Sequence, residues 1–532
     1  MSVFEAEKLL FTPSYSQSDA LEIIFAFPNE YTVGITSLGY QIIWANLAQR
    51  EDVRVSRLFT DISEKLPSNS DLVGFSFSWE LDYFNIFSLL EKLAIPLDSN
   101  LREDHHPLIF GGGPVLTANP EPFADFFDVI LLGDGENLLD NFLNAYQQVK
   151  RENRHNKLIH LAQIPGIYIP SLYQVNYHSL DGEIKSIQPL DDSIPKQVEK
   201  QTYRGNILSA STLVTPKAAW ENIYMVEVVR SCPEMCRFCL ASYLTLPFRT
   251  ASLESSLIPA IERGLKVTNR LGLLGASVTQ HPEFDSLLDY LARSEYDQVR
   301  LSIASVRTNT VTEKLAKILT KRHTKSITIA VESGSEKIRK IINKKLENEE
   351  IIQAAINAKA GGLNAVKFYG MVGIPQEEQA DLEATIMMLE TVKKSVPGLR
   401  LSLGCSTFVP KAHTPFQWFG VNPDAKKRLQ FLEKQLGKRG VDFRPESYNW
   451  SVIQALISRG DRRLGKLLEL TRNYGDTLGS YKRGFKELKG QIPDLDYYVH
   501  RNWELDQVLP WSHLKTALST ETLIKHLQSV DW

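Results

Sequence analysis

The chain has 532 residues, a formal net charge of −3, 43% hydrophobic and 23% charged residues, enough for about two to four domains with ample cores. The charge excludes wholesale wrapping of nucleic acid, although a local RNA contact stays open. Four cysteines cannot build a disulfide framework, no apolar run reaches membrane-spanning length, and the first residues lack a secretion signal's basic-then-apolar pattern, so a cytoplasmic protein without membrane contact is expected.

Residues 1–150 alternate strand and helix signals. Residues 21–27 read as a buried strand, 40–47 have helical spacing, and strand-like runs recur at 53–59, 72–76, 108–110 and 129–132. That alternation predicts a doubly wound parallel sheet of the Rossmann type, whose ligands sit at the carboxyl ends of the strands. Two glycine loops follow strands, Gly111-Gly112-Gly113-Pro114 and Gly133-Asp134-Gly135-Glu136. Glycine there serves either a tight turn or close approach to a ligand. Residues 151–215 are polar and irregular and read as a linker with a β ribbon turning at Asp181-Gly182.

Residues 216–420 begin with a short apolar strand at 223–229. The loop that follows carries Cys232, Cys236 and Cys239. A [4Fe–4S] cluster is normally held by four thiolates; a CxxxCxxC loop supplies three and leaves one iron open to a small molecule. The alternative is a structural zinc loop, which needs a fourth Cys or His at short range, and none is present. Further strands are expected at 271–277, 299–304, 326–331, 365–372 and 399–404, with a helix capped by Asn348 and stopped by Gly361-Gly362. Six such units alternate at βα spacing, and their number resembles the partial (β/α)6 barrel of radical S-adenosylmethionine enzymes.

The cysteine loop and these units resemble the radical S-adenosylmethionine (SAM) superfamily. The resemblance implies a cluster on the three cysteines, SAM on its open iron, and an external electron donor of the ferredoxin or flavodoxin type. Phe238 would lie against the adenine. Gly275-Ala276-Ser277 stands where the family often has Gly-Gly-Glu; the acid is missing, so backbone carbonyls or Ser277 would receive the methionine ammonium. Glu332 and Ser333 would serve the ribose, Arg339 the carboxylate, and Gly373-Ile374-Pro375 the adenine. Residues 27–34, 112–114, 119–122 and 133–136 are similar to the cobalamin (B12)-binding-like domain that precedes many such barrels. This implies a cleft for the corrinoid's nucleotide tail lined by Gly112 and Gly113, and a lid over the barrel mouth. Cobalt-ligating relatives carry Asp-x-His-x-x-Gly, but no histidine occurs between Leu21 and Leu47. No cobalt–imidazole bond is expected, and cobalamin is an open cofactor. His105 and His106 read as a solvated loop.

Other residues carry two readings each. Cys405 is either a buried apolar residue or a thiol hydrogen donor at the barrel mouth. His281 is an acid/base or the cap of the next helix, and His413 lies where such barrels finish over the substrate or packs its own loop. Glu227, Arg307 and Lys367 pair across the lumen or face the substrate. Residues 421–532 predict a helical C-terminal domain, with helices at 425–438 and 450–470 and a mildly basic, solvated face. Residues 458–463 and 509–513 resemble the tail of an uncharacterised subfamily. With Cys405 the only cysteine left, an auxiliary four-cysteine cluster is excluded and methylthiotransfer disfavoured. The expected activity is reductive SAM cleavage to a 5′-deoxyadenosyl radical that modifies an unknown substrate, by methylation if cobalamin binds. The rival is a non-catalytic iron–sulfur redox sensor or an RNA-associated assembly factor, supported by the missing acid at 275–277.

Overall fold

In a computed structural model, which describes residues 3–475 and 477–530, the apolar run at 21–27 becomes an inner strand. This strand, β1 (Leu21–Ala26), lies between β2 (Val53–Leu58) and β3 (Leu72–Ser76). β4 (Leu108–Gly112), β5 (Val129–Leu131) and β6 (Ile167–Tyr168) extend the sheet in the order 2-1-3-4-5-6. The first five strands are parallel and β6 is antiparallel. Ile23, Phe25, Leu72, Phe75, Ile109 and Ile130 are buried in its layers, as both faces of a doubly wound sheet require. The helix after β1, α1 (Leu38–Ala48), starts where the Ser37 side chain accepts from Tyr40 N. A hairpin of β7 (Tyr173–Tyr177) and β8 (Ile184–Pro189) supplies the expected ribbon.

By its contacts the chain divides into two units. The first comprises 1–204, 215–221 and 454–519; the second comprises 205–214, 222–453 and 520–532. The tail residues 458–463 therefore belong with the first sheet, and their arginines are not a solvated face. Arg459 is fully buried, 3.8 Å over the Trp503 ring, and donates to Tyr498 O and Val499 O. Arg462 binds Glu121 at 3.0 Å, and Arg463 binds Asp461 at 2.6 Å. Buried charges persist because they are paired. The single helix expected over 450–470 is two, Tyr448–Arg459 and Leu464–Asn473. Asn119 Nδ2 donates to both Ser458 O and Gly460 O at the break.

The second unit contains seven parallel strands. β9 (Ile223–Glu227), β10 (Arg270–Leu274) and β11 (Arg300–Ile303) form one run. β12 (Ser326–Glu332), β13 (Ala365–Val372), β14 (Arg400–Thr407) and β15 (Asp442–Pro445) form another. A parallel bridge between Val306 and Ile329 joins the two into a barrel-like wall. Six strands match the expected positions and β15 is additional. Alternation is plain in β13 and β14: Val366, Phe368, Leu401 and Leu403 are buried, whereas Lys367 and Tyr369 on the opposite face are exposed. The helix Asn348–Ala360 is capped by Glu347, not Asn348, through a capping box with Glu350. No helix among the described residues is long and apolar enough to cross a membrane.

Candidate active site

The cysteine loop leaves the carboxyl end of β9, where Arg230 clasps Glu227 at 2.8 and 2.7 Å. Ser231 and Met235 take left-handed backbone angles, φ 70° and 53°, which fold the loop back on itself. Cys236 is buried, and Cys232 and Cys239 are partly so. Three elements hold the loop. Asn343 Nδ2 donates to Glu234 O at 3.1 Å and Met235 O at 2.9 Å. Phe416 N donates to Arg237 O at 3.2 Å. Arg237, between the last two cysteines, donates to Lys340 O, Ile341 O, His526 O and Ser529 Oγ at 2.7 to 3.0 Å. None of these anchors was foreseen; Arg237 was visible as a cation inside the motif, but nothing local named its acceptors.

Burial pushes the Cys236 thiol up to about 12 and raises Cys239 as well, with the neighbouring cysteines adding to both shifts. Loading the loop with metal must therefore release protons. Among the described residues no group of three or more His, Cys, Asp or Glu side chains is arranged to hold a metal ion as it stands. The donor set itself, three soft sulfurs on one anchored loop, fits an iron–sulfur cluster. Lys344 lies beside it, its side chain 14% exposed and its Nζ 3.4 Å from Glu332 Oε1. Burial works against the lysine's charge, but Glu332 and Cys236 hold its pKa above the ordinary value. Glu332 sits at φ 65° on a register shift at the end of β12.

A polar chain crosses to the exit of β10. Ser277 donates to Gln280 Oε1, Gln280 Nε2 donates to Glu234, and Glu234 pairs with Arg307 at 2.7 Å. A carboxylate missing from Gly275-Ala276-Ser277 is thus present nearby, contributed by the cysteine loop. Gly275 has φ 148°, and a Cβ there would meet Val229 O at 2.5 Å; Ala276 is exposed and Ser277 buried. Phe238 is partly buried. In the β13 loop, Gly373 N donates to Glu377 Oε2 at 2.7 Å, and Ile374 is buried beside partly exposed Pro375. Ser335 caps the next helix, its Oγ accepting from Ile338 N.

Other expectations give way to structural roles. Arg339 is buried, donating to Leu346 O, Ser333 O and Asn348 Oδ1, so its charge is bound to its own loop. Ser333 is buried beneath it. His281 is buried with Nε2 on Ala251 O at 2.6 Å and Nδ1 accepting from Glu283 N; both ring nitrogens are engaged, and the N-cap of the helix that follows is Glu283, not His281. Cys405 shares the buried face of Leu401 and Leu403, and burial raises its thiol further, which leaves it off the open face. Glu227 and Arg307 pair with Arg230 and Glu234 rather than across the lumen, and Lys367 is exposed. His413 is buried in its own loop, where its N–H donates to Gln417 Oε1.

At two glycines of the first unit the chain itself fills the space a side chain would need. A Cβ at Gly113 would meet Phe77 O at 2.4 Å, and one at Gly133 would meet Gln201 O at 2.0 Å. Gly112 O accepts from Phe77 N, and Asp134 accepts from Tyr203 N. Gly113 therefore serves chain packing, whereas a Cβ at Gly112 would make only ordinary contacts, 3.6 Å from Leu131 O.

Residues 39–170 match the family of radical SAM proteins, N-terminal, and residues 226–389 match the radical SAM superfamily. An uncharacterized protein of Methanocaldococcus jannaschii is 28% identical over 87% of this chain and 94% of its own. An uncharacterized methyltransferase of Pyrococcus horikoshii is 28% identical over 33% of this chain and 40% of its own. The radical SAM methyltransferase TsrM from Kitasatospora setae, solved with cobalamin and a [4Fe-4S] cluster, superposes over 75% of this chain and 74% of its own with a TM-score of 0.50 at 12% identity. That likeness speaks for the fold alone.

Proposed function

The chain belongs to the radical SAM superfamily, with an N-terminal cobalamin-binding-like domain, and from that premise we propose that it is an enzyme that reductively cleaves SAM to modify a substrate by hydrogen abstraction. The carrying observation is the anchored loop: three thiols on one loop fixed by Arg237 and Asn343, with Lys344 and Glu332 beside it. Cys232, Cys236 and Cys239 would hold the cluster. A cluster held there would supply the single electron that reductive cleavage of SAM to methionine and a 5′-deoxyadenosyl radical requires.

The chain's own residues prepare for this. Lys344 stays protonated and offsets the thiolate charge. Glu234, held by Gln280 and Arg307, offers a carboxylate to an ammonium at the exit of β10, the role left open by Ser277. Gly275 brings backbone close to that point. An external ferredoxin- or flavodoxin-type donor would supply the electron, and unpaired thiols in the cluster loop favour a reducing, cytoplasmic setting. Methyl transfer is the reaction named for the Pyrococcus relative and is tested alongside. The protein is reconstituted anaerobically with iron and sulfide, reduced with dithionite and given SAM. The reading expects 5′-deoxyadenosine that vanishes in Cys236→Ala. S-adenosylhomocysteine would indicate methyl transfer, and an intact cluster giving neither product would turn the reading towards a redox sensor.

A further inference from the structure

The wall of the second unit has a second polar opening, at the amino-terminal ends of its strands. A cavity of about 860 Å³ opens where β12, β13, β14 and β15 begin, within the range of small-ligand sites, roughly 300–1,000 Å³. The cysteine loop lies at the opposite strand ends, and the eight residues of β13 span about 25 Å between them. The cavity is lined by Lys325, Lys367, Lys393, Arg400 and Arg444 against one acid, Asp442.

Their charges are largely uncompensated. Arg444 pairs with Asp442 at 2.6 Å. Lys393 donates to Arg439 O and Gly440 O, which are neutral acceptors. Among the described residues, Lys325, Lys367 and Arg400 have no ion pair or side-chain hydrogen bond. An excess of four positive charges thus stands in one cavity of a chain whose net charge is −3. The cations come from different elements, and strand register brings some of them together: Arg400 is level with Ala365, and Lys367 is level with Ser402, itself level with Asp442. Lys367 projects from the open face of β13, beside exposed Tyr369. Like charges on rigid strands repel one another, and Asp442 offsets only one of the five. A lone carboxylate would leave most of this charge unmet. A chain of phosphates presents several oxyanions to the several donors of lysine and arginine.

We infer that this cavity is a second ligand site, for a small phosphate-bearing polyanion, separate from the SAM site. The inference does not depend on SAM chemistry. The probe is inorganic tripolyphosphate, which carries no adenine and so cannot be mistaken for a SAM analogue, added to the cluster-loaded full chain and followed by titration calorimetry. One saturable site is expected, weakened at least tenfold in Lys367→Gln/Arg400→Gln and unchanged in the exposed control Lys426→Gln/Lys438→Gln. Tripolyphosphate should also raise the melting temperature of the parent protein, not that of the cavity variant, and Lys367→Arg should retain binding. Absence of saturable binding to the parent protein, or equal weakening in the cavity and control variants, overturns the inference. ADP competing with tripolyphosphate would support a nucleotide polyphosphate as the source, and saturable tripolyphosphate binding with which no organic phosphate competes would support an inorganic polyphosphate.

Discussion

Two parallel sheets of one chain finish differently at their carboxyl edges. In the first unit the chain fills its own strand ends: Phe77 backbone occupies the space at Gly113, Gln201 occupies that at Gly133, and Tyr203 N satisfies Asp134. In the second unit the strand ends gather groups with chemistry to spare, three thiols, a buried lysine and two carboxylates, above an open polar face. Similar architecture thus carries a closed edge and an equipped one. A fold does not name a function; the groups left at its strand ends do.

Breaking the equipped edge gives the largest effect. Cys236→Ala should cut 5′-deoxyadenosine formation by about two orders of magnitude or more, measured per folded protein together with iron content. Next comes the buried lattice of the closed unit. Glu121 is 1% exposed and binds Arg462, so Glu121→Ala strands a buried cation and should cost about 3–5 kcal/mol, seen as a lower urea midpoint. His513, at the same cluster, is held neutral: burial lowers its pKa from 6.5 to about 4, so its 3.6 Å approach to Glu121 is not an ion pair at neutral pH. The unfolded chain binds that proton first. Stability from this group is complete above pH 6.5 and is lost as the pH falls towards 4, by about 3 kcal/mol in all. His513→Asn should flatten that part of the pH profile of the urea midpoint.

Gly133→Ala sharpens the contrast directly. With φ 114° and Gln201 O at 2.0 Å from the new Cβ, it should lose about 1–3 kcal/mol or more, seen as a lower urea midpoint. Lys344→Met is the mildest. It removes the cation beside Cys236, and should slow SAM cleavage by roughly tenfold while leaving iron content intact, in line with one lost charged contact.

Strands with continuous apolar runs were legible in the sequence; 365–372 has the bounds expected. β15 was not, because Asp442-Phe443-Arg444-Pro445 has little apolar character and becomes a strand by pairing with β14. The cysteines were legible because their spacing is local. Lys344, Asn343 and Glu234 were not, since their partners are distant in sequence or depend on the loop's fold. Arg459 and Arg462 read as solvated for the same reason: the Tyr498 and Val499 carbonyls and Glu121 reach them only in the folded chain. Cys405 is a different case. The two-residue period that places it with Leu401 and Leu403 was present in the sequence, and it selects the buried apolar reading of the two.

The anchoring of Arg237 also sets an order of events during synthesis. Its guanidinium is held by His526 O, 289 residues further along the chain. At roughly 5–20 residues per second, that stretch takes a ribosome about 15–60 s to make. Throughout that interval the cysteine loop is translated but lacks its last clasp, so its thiols emerge well before the site that positions them is complete. An iron–sulfur carrier delivering to the finished chain meets a fixed loop, whereas one delivering to the nascent chain meets a loose one.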